Sequence, residues 1–159
     1  MPDPLPKVQE MGQLLKDLLG RAVNVKDSRT PLSTGPGFKG VVAELLNADG
    51  ATSAILVADL AFACHSAAAM TMMPPSASAD ALKAGILTDT LLENYFEVAN
   101  VLTALYRPYG KRMIRGRMFA NGEKVAPPVA SFMAGHKQHF YADVEVTGYG
   151  SGRVALLQS

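Results

Sequence analysis

Apolar residues Met11, Leu14, Leu15, Leu18 and Leu19 recur at the spacing of one helical face. Residues 7–19 are therefore predicted as a helix that Gly20 stops. Residues 22–25 suit a short strand, and 27–37 form a loop rich in Pro, Ser, Thr and Gly. Residues 38–46 read as a strand, Asn47-Ala48-Asp49-Gly50 as a turn, and 52–57 as the returning strand of a hairpin. Asp59 is placed to cap a helix over 60–73. Pro74-Pro75 ends that helix, because proline cannot extend the hydrogen-bond ladder. Residues 76–85 read as a polar, alanine-rich connection with room for a helical turn.

Residues 88–106 form the central helix of the pattern. At roughly 100° per residue, Glu93, Glu97, Asn100, Ala104 and Arg107 fall on one narrow stripe. Leu91, Leu92, Tyr95, Val98, Ala99, Leu102, Leu105 and Tyr106 cover the other side, as in an amphipathic helix lying on a sheet. Thr90 and Glu93 have capping-box spacing, and Thr88 or Asp89 could equally be the cap. Arg107-Pro108-Tyr109-Gly110 closes the helix. Residues 111–119 alternate basic and apolar side chains, the pattern of a strand with one wet face. Ala120-Asn121-Gly122 turns the chain, and 125–129 crosses toward Ser131-Phe132-Met133. Residues 140–147 and 153–157 read as a last hairpin around Gly148-Tyr149-Gly150-Ser151-Gly152.

The predicted fold is α/β (α+β), a largely antiparallel sheet with long helices packed on it. No linker divides residues 1–159, so one domain is expected, with 1–6 as a flexible arm. Glu10-Met11-Gly12-Gln13-Leu14-Leu15 echoes Glu97-Val98-Ala99-Asn100-Val101-Leu102 in its order of acid, apolar, small, carboxamide and apolar residues. Two such half-units suit a duplicated fold with pseudo-two-fold symmetry, although so short a match also arises by chance.

Composition narrows the classes further. The chain has 159 residues, enough for one real core, and 48% of them are hydrophobic. A net charge of +1 argues for neither a general nucleic-acid binder nor an acidic tail. The single cysteine, Cys64, excludes an internal disulfide and reads as a small buried hydrophobe. Residues 1–6 lack the features of a signal peptide, and the apolar run over 60–73 is too short to span a bilayer. A cytoplasmic protein without membrane contact is expected.

The candidate chemistry lies at Glu97 and Asn100. Three residues apart on a helix, they share a face. An amide is neither nucleophile nor base, but it can orient a water by donating and accepting hydrogen bonds. Phosphoryl transfer uses that service, because its catalysis is mainly positioning and charge stabilisation. On an arbitrary exposed helix, the same pair is an ordinary solvated face.

Glu97-Val98-Ala99-Asn100 resembles the Glu-x-x-Asn motif of the CheC/CheX family of chemotaxis phosphatases. The order of helix, hairpin, helix, connector, motif helix and closing strands is similar to the single-motif CheX arrangement from about Lys7 onward. The resemblance implies one CheX-like domain of pseudo-symmetric halves, often a homodimer. It implies hydrolysis of the aspartyl phosphate of a CheY-like receiver domain, with Asn100 orienting water and Glu97 docking on a receiver lysine. It implies no cofactor of the chain's own, the Mg²⁺ belonging to the receiver. Glu93, Ala104 and Arg107 would border the docking surface. Phe96 stands where the family commonly has glycine, and Ala104 replaces another usual glycine. These departures leave open a non-catalytic, receiver-binding or homodimeric module.

Other motifs carry less. Gly35-Pro36-Gly37-Phe38-Lys39-Gly40 matches a Gly-x-Gly-x-x-Gly string without the strand and helix that a dinucleotide site needs. His136 and His139 lack an acid or cysteine cluster for a metal. His65 reads as a satisfied, partly buried side chain. Arg107, Lys111, Arg112, Arg115 and Arg117 form a basic segment over 107–117. It suits a solvated edge strand, or a surface for an acidic partner or, less readily, a nucleic acid.

Overall fold

A computed structural model describes residues 6–35, 37–105 and 114–158. In chain order the elements are α1 (Val8–Leu19), β1 (Val23–Ser28), β2 (Val41–Leu46), β3 (Thr52–Ala58), α2 (Leu60–Met70), α3 (Pro75–Ala84), α4 (Asp89–Leu102), β4 (Ile114–Phe119), α5 (Pro127–Gly135), β5 (Gln138–Val146) and β6 (Gly150–Gln158). The strands form one six-stranded sheet in the order β1-β5-β6-β3-β2-β4, antiparallel throughout. The predicted α+β architecture is the one observed.

The strand order has an internal symmetry. Exchanging α1-β1-β2-β3 with α4-β4-β5-β6 maps the order onto itself read backwards. Each half lends its first strand to the other: β1 pairs with β5, and β4 pairs with β2. The echo between Glu10 to Leu15 and Glu97 to Leu102 falls on the matching helices. Glu10 and Gln13 are exposed on α1, while Met11 and Leu15 are buried.

Both faces of the sheet are covered, so its central strands are apolar on both sides. Val41, Ala43, Leu45, Leu56 and Leu156 meet α1, α2, α3 and α4 on one face. Val42, Ile55, Val57 and Leu157 meet Val129 and Phe132 of α5, with Leu32 and Phe38, on the other. Helix α2 is buried along almost its whole length, from Phe62 to Ala69. Its run of alanines lets it wedge between the sheet, α3 and α4. Gly152 makes this approach possible, since a Cβ there would stand 2.2 Å from the Phe62 nitrogen. Pairing with β5 carries β6 back to Gly150, opposite Val146, so the closing turn is shorter than the glycine run suggests.

Several element boundaries differ from expectation, most clearly where prolines fall. Helix α2 ends at Met70, not Met73, and Pro75 opens α3 instead of merely ending α2. A proline at the first helical position gives up only an N–H that would have no helical partner. Residues 75–84 are accordingly a helix rather than a connection, closed by Gly85 at φ 77°. Pro127 and Pro128 open α5 in the same way where a crossing segment was expected. No helix among the described residues is long and apolar enough to cross a membrane.

Candidate functional site

Helix α4 is anchored firmly. Thr88 is its cap, with the hydroxyl accepting from the Leu91 N–H at 3.3 Å. Leu91, Tyr95, Val98, Ala99 and Leu102 are buried in the core, and Tyr95 meets Phe62 edge-on at 6.2 Å. Asn94 bolts the helix to the end of α2. Its Nδ2 donates to the Ala67 carbonyl at 3.1 Å and to the Thr71 hydroxyl at 2.9 Å.

Glu93, Glu97 and Asn100 are exposed on the opposite side of this rod. Glu97 has no hydrogen-bond or ion-pair partner among the described residues. Asn100 does not project free, as the periodicity alone suggested. Its Oδ1 accepts a hydrogen bond from Arg115 Nε at 2.6 Å. The Arg115 guanidinium lies over the Phe96 ring, 5.2 Å from its centre, and donates from Nη1 to the Gly116 carbonyl at 3.1 Å. Phe96 is thus half-buried under an arginine of its own chain.

A bulge in β4 brings Arg115 to this face. Leu45 pairs with Arg115 and Ala43 with Met118, so Gly116 and Arg117 together oppose the single residue Glu44. The extra residue keeps Arg115 and Met118 on the same, helix-bearing side. Glu44 is buried beneath the bulge and holds it in place. Its Oε1 accepts from the Arg117 N–H and Nε, and its Oε2 from Arg117 Nη2 and the Thr52 hydroxyl. The Arg117 side chain holds the Glu44 carboxyl below the usual carboxylate range, against the opposing effect of burial. Arg115 and Arg117, read from the sequence as a solvated basic face, are therefore both engaged within the chain. Arg107, Lys111 and Arg112 lie outside the described residues.

The α4 stripe also ends sooner than predicted. A 3₁₀ turn, Thr103–Leu105, follows Leu102, and the Thr103 hydroxyl donates to the Asn100 carbonyl at 2.6 Å. Ala104 is half-buried in that turn, beyond the end of the α-helix. The structure thus puts Glu93, Glu97 and Asn100 on one exposed face of α4, adds Arg115, and places Ala104 in the turn that follows the helix. No spacing rule links Asn100 to Arg115, which lie 15 positions apart on elements joined only by the tertiary fold.

The remaining candidates fall elsewhere. Cys64 is buried, and desolvation with Asp59 nearby pushes its thiol up to about 11. His65 is buried, with Nδ1 2.9 Å from the Ser78 hydroxyl. His139 stacks on Tyr141, with His136 edge-on beside it. No group of three or more metal-ligating side chains is present among the described residues. Gly35 and Gly37 border a cavity of about 730 Å³ under α5, on the sheet face opposite α4. Gly40 instead lets β2 approach β3, since a Cβ there would meet the Ala58 carbonyl.

An antiparallel sheet of two half-units with exchanged edge strands, carrying its helices mainly on one face, defines the class: this is the CheC/CheX fold. Among solved structures, the chemotaxis protein CheX from Vibrio vulnificus matches with a TM-score of 0.54 and 10% identity, over 95% of this chain and 95% of that one. The FliM middle domain from Vibrio alginolyticus matches with a TM-score of 0.63 and 10% identity, over 95% and 87%. Thermotoga maritima FliY matches with a TM-score of 0.53 and 13% identity, over 96% and 89%. At such identities the likeness is one of fold. No family model matches the sequence, and no curated protein matches it either.

Proposed function

We propose that the protein binds the phosphorylated receiver domain of a response regulator through the exposed face of α4, and hydrolyses its aspartyl phosphate. The observation that carries this reading is the pair Glu97 and Asn100, exposed one turn apart on a helix whose other face is buried. Glu97, free of partners among the described residues, pairs with a receiver lysine and sets the docking register. Asn100 orients a water for in-line attack on phosphorus. The water oxygen bonds to phosphorus as the aspartyl oxygen leaves, giving a free carboxylate and inorganic phosphate. The water's proton passes to the phosphate. The amide contributes positioning rather than proton transfer. Glu93 borders the contact on α4, and Arg107 is the further contact that the sequence offers. The Mg²⁺ is the receiver's. The reading includes a homodimer, as the sequence resemblance implies, and the cytoplasmic location expected from the sequence.

Binding without hydrolysis is the second reading. It is favoured by Phe96, which adds bulk beside Glu97, and by the hydrogen bond that Asn100 Oδ1 already accepts. Titrating phosphorylated and unphosphorylated receiver against wild type and Glu97→Ala tests the docking shared by both readings. Tighter binding of the phosphorylated form, weakened about tenfold by Glu97→Ala, is expected. Equal binding of both forms, indifferent to the substitution, would overturn it.

A further inference from the structure

We infer that Arg115 is a positioning residue for the Asn100 carboxamide; its consequence for hydrolysis rests on the phosphatase reading above. Arginine carries only donors, so the carboxamide must turn its oxygen toward the guanidinium and its Nδ2 away. A lone exposed asparagine has no such preference, because its two amide orientations are nearly equal in shape. Here the choice is made by the 2.6 Å hydrogen bond from Arg115 Nε.

Arg115 is itself held at three points: Asn100 Oδ1, the Gly116 carbonyl and the Phe96 ring. The bulge opposite Glu44 aims it at α4, and Arg117 ties that bulge to the buried Glu44 carboxylate. The arrangement leaves the amide competent. A carbonyl oxygen has a second lone pair, which can accept from a water, and Nδ2 keeps both its donors. The charge-assisted bond to Oδ1 also polarises the amide and strengthens those donors. Phe96, a departure from the motif's usual glycine, thereby acquires a use as the platform on which the guanidinium rests.

The test combines kinetics with a direct readout of the amide, using the full chain. Decay of phosphorylated receiver is followed at rising concentrations of wild type and Arg115→Ala, with thermal melting to confirm that both are folded. The limiting rate should fall about tenfold, since misplacing a positioning group costs rate, while the half-saturating concentration changes less than about twofold. An unchanged limiting rate, whether or not half-saturation rises, would overturn the positioning role. In parallel, ¹⁵N relaxation of the Asn100 side-chain amide should show an ordered group in wild type and a mobile one in Arg115→Ala. If wild type does not accelerate decay, the phosphatase reading fails and the relaxation data decide on Arg115 alone. Loss of order in the variant supports the inference, and equal order in the two proteins ends it.

Discussion

Glu44 lies buried under the bulge of β4 and takes three hydrogen bonds from Arg117, at 3.1 Å from the backbone N–H, 3.1 Å from Nε and 3.2 Å from Nη2. Gly116 leaves room for this carboxylate, because a Cβ there would stand 2.7 Å from Oε1. One acidic side chain in β2 thus sets the path of the edge strand that delivers Arg115 to Asn100.

Glu44→Gln should destabilise the fold by about 2 kcal/mol, the scale for weakening a buried charged hydrogen bond whose partner is half in water. Urea denaturation at neutral pH measures it. The Glu44 pKa is lowered in the folded state, so its contribution is present above the ordinary value of 4.5 and is lost as pH falls through the folded value. The variant should therefore lose less stability than wild type on acidification below pH 4.5. Parallel stability curves for the two proteins would contradict this.

Tyr95→Phe should raise stability by about 1 kcal/mol. The Tyr95 hydroxyl is fully buried and has no hydrogen-bond partner among the described residues. Removing it relieves a desolvated polar group, and the ring keeps its edge contact with Phe62. Thermal or urea melts decide the sign, and a loss of stability would mean that the hydroxyl is satisfied.

His65 should titrate below the usual imidazole value of 6.5, because burial disfavours its charged form more than Asp59 favours it. Its contribution to stability is complete above that value and falls as pH drops from there toward the folded pKa. Imidazole resonances followed by NMR give the pKa directly. A value at or above 6.5 would contradict the reading of a neutral ring against Ser78.

The helical faces of α1 and α4 and the hairpin of β2 and β3 were legible because apolar spacing repeats and the turn at Asn47 to Gly50 is strongly marked. Helix α3 was not, since short polar and alanine-rich stretches look alike as helix or connection, and a proline such as Pro75 suits a helix stop as well as a start. The exposure of Glu97 and Asn100 followed from the helical wheel. The grip of Arg115 on Asn100 could not follow from it. That contact depends on one bulged residue at a sheet edge, and alternation by itself assigns Arg115 and Arg117 to a single wet face. Asn94 was missed for a related reason: its partners, Ala67 and Thr71, sit at the far end of another helix.

The most direct test of the central claim is the decay rate of aspartyl phosphate on a receiver domain, with the protein at saturating concentration and with Asn100→Ala beside it. The account predicts faster decay with wild type than with receiver alone, and loss of nearly all of that acceleration in Asn100→Ala while binding persists. Equal decay with both proteins would show that the exposed carboxamide of α4 orients no water.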